Sequence, residues 1–258
     1  MDAPLTAKIS AILHIYNEQR QIKKCLESIR WVDEIVIMDC FSQDKTVEIC
    51  RKYTDRIYQR KYINAAEAKN WLLTQATCGW VLAIDADERC TGPLAGEIRE
   101  KIAQQGDSDG YRILLRTFCF GREMRGWPKG ERQIRLFKKN LGSWEHKEVH
   151  SKLLLDGKKE DLLHPLLHYP YPTLKVLCDK ENRYARFQAQ AMVKDGVGLS
   201  WQRLVKVSFS PFTIFYRQYF LKKSYQDGLA GLCISLITAL YFVITEIDYL
   251  ILKFNAWF

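Results

Sequence analysis

Trp80-Val81-Leu82-Ala83-Ile84-Asp85-Ala86-Asp87-Glu88 runs from a buried-strand composition straight into three carboxylates. Five consecutive apolar residues have the length of a strand buried on both faces. Asp85 and Asp87, one residue apart at its end, can face a single hard cation. Mg2+ or Mn2+ takes such oxygen ligands and shares them with substrate phosphates. An acidic pair is ordinarily a solvated turn; its place at the end of a buried strand is what raises this one above that.

Outward from this stretch, strand and helix patterns alternate. Ile9 to Ile15 is an apolar run of strand length, and Glu18 to Ile29 places Ile22, Cys25, Leu26 and Ile29 on one helical face. Glu34 to Met38 reads as a second buried strand ending at Asp39. Lys45 to Tyr53 is a helix, Arg56 to Gln59 a short strand, and Asn64 to Ala76 a helix carrying Lys69 and Asn70. Such alternation predicts an α/β, doubly wound, mostly parallel sheet with right-handed crossovers. Ligands bind outside the carboxyl ends of its strands. Those ends carry Tyr16-Asn17-Glu18, Asp39 and Asp85-Ala86-Asp87. Asp44 reads as a cap for the helix that follows it, while Asp39 precedes the turn and is expected in the same crevice as Asp85.

Beyond Gly110 the pattern changes. Tyr111 to Phe120, Arg132 to Lys138 and Val149 to Leu155 look like strands of a mixed extension. Arg125 and Trp127, in a loop with Pro128 and Gly130, suit an acceptor platform or plain packing. After Pro172 the chain turns helical, with Thr173 to Val193 one helix, Phe212 to Lys223 an aromatic-rich segment, and Asp227 to Phe258 long and apolar. The net charge is +9, which favours an anionic partner. Nine Lys/Arg against two acids fall between Lys180 and Lys223, directly ahead of 18 uncharged residues from Gly228 to Thr245. That sequel favours a membrane surface over nucleic acid. The tail has three readings, a buried helix, a spanning helix or an in-plane anchor, and the basic aromatic run before it favours the last. Eight scattered cysteines without a C-x-x-C predict reduced thiols and no zinc site. No secretion signal is expected at the amino terminus.

The lines Ile12-Leu13-His14-Ile15-Tyr16-Asn17-Glu18, Ile37-Met38-Asp39-Cys40-Phe41-Ser42-Gln43-Asp44-Lys45-Thr46, Ala68-Lys69-Asn70 and Ile84-Asp85-Ala86-Asp87-Glu88 resemble family 2 glycosyltransferases. The closer resemblance is to the branch that adds hexoses to bacterial lipopolysaccharide cores. It covers roughly residues 8 to 120 and continues through Arg135-Leu136-Phe137, Val149-His150 and Asp227-Gly228. The resemblance implies a GT-A-like fold, an inverting transfer and a nucleotide-sugar donor, typically UDP-linked. It places Tyr16 and Glu18 beside the nucleoside, Asp39 on the base, and Lys69 and Asn70 near the phosphates or base. Asp85 would contact ribose and metal-bound water, and Asp87 would ligate the metal. Ile15 stands where members often carry Thr, and Ser151 follows Val149-His150 where this branch often carries Glu. An inverting transfer needs a carboxylate near the acceptor hydroxyl. Were Trp144 to His150 a strand, Glu148 would share a face with His146 and His150. Glu148 is therefore favoured over Glu145 as base, and His150 as a third metal ligand. His164 reads as a structural hydrogen-bonder. His168 precedes Tyr169-Pro170, where the resemblance suggests a lid.

The expectation is a catalytic domain over residues 1–172, its donor half about 8–120 and its acceptor half about 110–172, with a helical membrane-associating region over 173–258. It would move a hexose from a UDP-hexose, with Mg2+ or Mn2+, to a lipid-linked glycan on the cytoplasmic face of the bacterial inner membrane. Two rivals remain: a polyprenol-phosphate glycosyltransferase, and a non-catalytic membrane-bound scaffold with a vestigial donor fold. The pair Asp85 and Asp87 speaks against the scaffold.

Overall fold

The computed structural model describes residues 7–104, 106–126, 131–145, 152–198 and 201–255, except for the side chains of 201–206 and 255. Two compact units emerge, Met1–Arg116 with Gly130–His168, and Thr117–Lys129 with Tyr169–Phe258.

The first unit opens with β1 (Ile9–Ile15), α1 (Ile22–Ser28), β2 (Glu34–Asp39), α2 (Thr46–Cys50), β3 (Ile57–Gln59), α3 (Ala65–Gln75) and β4 (Trp80–Ala83). Here β1 lies between β2 and β4, and β3 pairs with β2, all four strands parallel. Ile12 stands in register with Val36 on one side and Ala83 on the other. Both faces of this core are covered. Leu13 and Ile15 meet Ile22, Cys25 and Leu26 of α1, whereas Ile12, Met38 and Ala83 meet Ala66, Ala68 and Leu72 of α3. This double burial is why β1, β2 and β4 are near-continuous apolar runs.

The unit continues with β5 (Glu88–Cys90), α4 (Gly92–Ala103) and β6 (Gly110–Cys119). Thr91 caps α4 by accepting from the Leu94 N–H. After the short β7 (Arg122–Glu123) come β8 (Arg132–Lys138), β9 (Gly142–Trp144), β10 (Leu153–Leu155), β11 (Lys159–Asp161) and β12 (Leu166–Tyr171). Strand β8 is antiparallel to both β4 and β6, and so turns a parallel sheet into a mixed one. Strands β9 and β10 form a separate ribbon, and β12 pairs with β5, His168 opposite Glu88.

In the second unit the end of β6 turns back into β7 through Phe120 and Gly121, with φ of 52° and 77°. Two successive positive φ values make the tight turn that matches strand twist. Three helices follow: α5 (Leu174–Lys194), α6 (Trp201–Tyr216) and α7 (Gly228–Asn255). A π-helical turn at Arg217–Leu221 and a 3-10 turn at Ser224–Asp227 link the last two.

Several boundaries differ from the sequence expectation for definite reasons. Helix α1 starts at Ile22 rather than Glu18, because the Glu18 carbonyl accepts from both Gln21 and Ile22 in a tight turn. Of the strand expected at Val149 to Leu155, the described part is Leu153–Leu155. The expected strand from Trp144 begins earlier and ends at Trp144. The sequence pattern does not predict helices α4 and α6 or strands β5, β7, β11 and β12 as elements.

Candidate active site

The order β3-β2-β1-β4 places β2 and β4 on opposite sides of β1. A doubly wound sheet opens a crevice at such a reversal, outside the carboxyl ends of the two strands. Tyr16 follows β1 and Asp85 follows β4, so the crevice is bounded by the residues the sequence singled out.

Asp85 is the centre of a charge cluster. Lys69 Nζ of α3 lies 3.2 Å from Asp85 Oδ1, and an Arg135 guanidinium nitrogen of β8 lies 3.1 Å from Oδ2. The same guanidinium nitrogen bonds Glu88, which is fully buried and accepts from the Asp85 N–H at 2.9 Å. Burial opposes ionisation of Asp85, but Lys69 and Arg135 outweigh it and hold the carboxyl well below the usual carboxylate range. Burial pushes Glu88 up to about 8, against the pull of Arg135. One guanidinium thus serves two carboxylates, and Asp85 keeps the negative charge. His14 of β1 stacks on Tyr62 at 6.0 Å, and burial, with Lys69 second, lowers its pKa to about 4. The imidazole is neutral at pH 7, and its Nδ1 has no hydrogen-bond partner among the described residues.

Asp87 turns to a different partner. Its Oδ1 lies 3.7 Å from His168 Nε2 of β12. That is beyond hydrogen-bond reach. It is within the roughly 4.2 Å that two ligand atoms, each about 2.1 Å from a shared cation, can span at most. Among the described residues no three His, Cys, Asp or Glu side chains converge as a metal cage. A carboxylate oxygen and an imidazole nitrogen are nevertheless donors of the kind that a divalent ion accepts. Mixed ligands of this kind suit Mn2+ somewhat better than Mg2+.

The other expected residues divide. Asp39 is fully buried at the end of β2, where it accepts from the Ser42 N–H at 3.1 Å and from Gln59 Nε2 at 3.2 Å. Tyr16 is 43% exposed. The Glu18 N–H donates to Thr46 Oγ1 at 2.8 Å. Asn70 faces β9 and uses both ends of its amide on the Trp144 backbone, at 2.9 and 2.7 Å. Glu148 and His150, with His146 and Trp127, lie outside the described residues. His164 is structural: Glu97 accepts from the Leu163 and His164 N–H groups and pairs with His164 Nδ1 at 2.9 Å. Sequence reasoning missed Glu88 and His14 and gave Arg135 no role. Glu88 is contiguous with the acidic motif, and Arg135 is a charge inside a strand otherwise bound for the core. A cavity of about 450 Å3 lined by Lys8, Arg30, Glu34, Lys52 and Thr77 lies at the amino ends of the strands, away from Asp85 and Asp87.

Residues 10–150 match Glycosyl transferase family 2. The chain belongs to that family. It is 28% identical over 245 residues to the lipopolysaccharide core biosynthesis glycosyltransferase LpsC of Rhizobium meliloti, covering 92% of this chain and 90% of that one. A glycosyltransferase of Rickettsia conorii is 27% identical over 252 residues, covering 93% and 88%. Among solved structures, a mannosyltransferase of Pyrobaculum calidifontis in complex with GDP-Man and Mn2+ superposes with a TM-score of 0.50. At 14% identity it covers 94% of this chain and 87% of that one, a likeness of fold. The protein is a glycosyltransferase of GT-A-like fold, and the resemblance read from its four motifs is borne out.

Proposed function

We propose that this glycosyltransferase moves a hexose from a UDP-sugar to a lipid-linked glycan such as a lipopolysaccharide core, with inversion, at the cytoplasmic face of the bacterial inner membrane. The observation that carries the donor half is the division of labour within Asp85-Ala86-Asp87. Asp85, ionised and held between Lys69 and Arg135, presents fixed negative charge to ribose hydroxyls and to water on a cation. Asp87 and His168 would hold a divalent ion, Mn2+ or Mg2+, directly. His150, the third ligand expected from sequence, would join them. Such an ion, when bound, neutralises charge on the departing diphosphate. Lys69 adds a second cation beside it. Tyr16 and Asp39 flank the nucleoside, and the polar rim around them orients it.

Glu148 is the proposed base, taking the proton of the acceptor hydroxyl. Catalysis would reside in residues 1–172 and membrane association in 173–258. The kinship to LpsC supports a lipopolysaccharide-core acceptor, and the basic run from Lys180 to Lys223 suits a phosphorylated glycolipid. Titration calorimetry with UDP-hexoses tests the donor half: binding should require Mn2+ or Mg2+ and disappear in Asp87→Asn and His168→Ala. Metal-independent binding of equal strength would sink it. Labelled donor incubated with membranes carrying a truncated core, or with polyprenol phosphate, then decides the acceptor. Glu148→Gln should cut turnover by roughly 10^2-fold or more while donor affinity holds.

A further inference from the structure

The segment Ser224–Phe254 is long and apolar enough to cross a bilayer by length and composition. Its packing argues for another arrangement. One face of α7 rests on α5 and α6 within the second unit. Ile234, Ser235, Thr245 and Tyr249 on that face are buried. Tyr249 Oη and Lys253 Nζ both donate to the Val197 carbonyl, at 2.5 and 2.8 Å. Gly231 abuts the Ser224 carbonyl so closely that a Cβ there would meet it at 1.8 Å. The helix alongside, α5, carries seven charged side chains in 21 residues: Lys175, Asp179, Lys180, Glu181, Arg183, Arg186 and Lys194. A helix so charged cannot follow α7 through hydrocarbon. Spanning would require stripping α7 from its partner and exposing Ser235, Thr245 and Lys253 to lipid.

The opposite face of α7 has no such partner among the described residues. Leu229, Leu236, Leu240, Ile247, Ile251 and Phe254 are all exposed, Leu229 at 75%. Their spacings of seven, four, seven, four and three residues draw one line along the helix. At about 100° per residue, Glu246, Asp248 and Lys253 all fall off that line. Helix α6 and the turn after it show a second stripe, Phe209, Phe212, Tyr216 and Phe220, with Phe212 74% exposed. Arg217 and Lys223 stand exposed beside it. Aliphatic side chains along one line, aromatic rings along another and cations at their edge are the pattern that an anionic interface selects.

We propose that the α7 aliphatic stripe and the α6 aromatic stripe seat the protein in one leaflet of an anionic bilayer, with α7 parallel to the surface, α5 on the aqueous side and no helix crossing. This deepens the membrane reading above and rests on it. The apolar stripes supply retention and the cations supply orientation.

The test uses the full chain with an epitope tag appended after Phe258 and sealed vesicles of phosphatidylcholine with about 30 mol % phosphatidylglycerol. Leu236→Glu with Leu240→Glu, and separately Phe212→Glu with Tyr216→Glu, should each lower flotation about tenfold or more. Protease added outside should remove the tag and cut at Lys222-Lys223 in the bound wild type. A tag protected inside the vesicles means spanning and overturns the proposal. Flotation of both variants at the wild-type level overturns it, as does a vesicle-free dimer that the same substitutions dissolve. UDP binding on the same samples keeps the readings apart. Variants that still bind UDP are folded, and a wild type that floats without binding UDP refutes the donor assignment, not the seat.

Discussion

Arg135 stands between Asp85 and Glu88, three positions apart in one short loop, with its side chain almost wholly buried. Removing it would leave the ionised Asp85 with Lys69 as its one remaining cation among the described residues, and the buried Glu88 carboxyl without its donor. Breaking a buried pair of this kind costs about 3–5 kcal/mol. Arg135→Met should therefore unfold in urea with a stability loss of that order, and Arg135→Lys with a smaller one, since a point charge cannot reach both carboxylates. His14 supplies a pH signature. Its ordinary value is 6.5, and in the folded chain it falls to about 4. Between those values the unfolded chain binds a proton that the folded chain refuses, so stability drops as pH falls through the window. In metal-free buffer the drop should reach on the order of 2–3 kcal/mol. His14→Gln should flatten it in a series of urea melts from pH 7 to pH 4, and an unchanged slope would refute the assignment.

The elements around the crevice are fixed by loops that bind each other. The Asn17 N–H donates to Ser42 Oγ, Gln43 N–H to Asn17 Oδ1, Gln19 N–H to Asp44 Oδ2, and Lys45 N–H to Gln19 Oε1. Two of these residues' neighbourhoods are strained, with φ of 53° at Asn17 and 61° at Phe41. Asn tolerates the left-handed region and Ala does not. Asn17→Ala loses both that tolerance and a hydrogen bond, so it should cost about 2 kcal/mol. Asn17→Gly keeps the backbone and should fall between the two, an order readable from urea midpoints. Sequence made β1, β2, β4 and α3 visible because double burial writes itself as unbroken apolar runs. It hid α4, whose first five residues include Gly92, Pro93 and Gly96, and β12, which contains Pro170. It also hid the Asp85–Arg135 and Asp87–His168 pairs, because partners 50 and 81 positions apart leave no local periodicity. The donor motifs were legible as residue types; which carboxylate faces His168 and which meets arginine was decided by strand β12 and strand β8.

At the scale of the whole molecule, charge and apolar surface divide one task. The chain carries +9 overall, and +7 of it falls between Lys180 and Lys223, immediately ahead of α7. Basic residues near an anionic leaflet contribute about 1 kcal/mol each, but over a range set by the Debye length, about 10 Å at 0.1 M salt and about 3 Å at 1 M. Burial of aliphatic side chains is not screened by salt. Raising NaCl from about 0.1 to 1 M should therefore weaken vesicle binding by roughly tenfold or more without abolishing it. The residual binding should vanish in the Leu236→Glu, Leu240→Glu variant and persist when Arg217 and Lys223 are replaced by Gln. Co-sedimentation across a salt series measures both parts. Complete release of the wild type by salt would mean that electrostatics alone holds the protein and that the stripe on α7 meets something other than lipid.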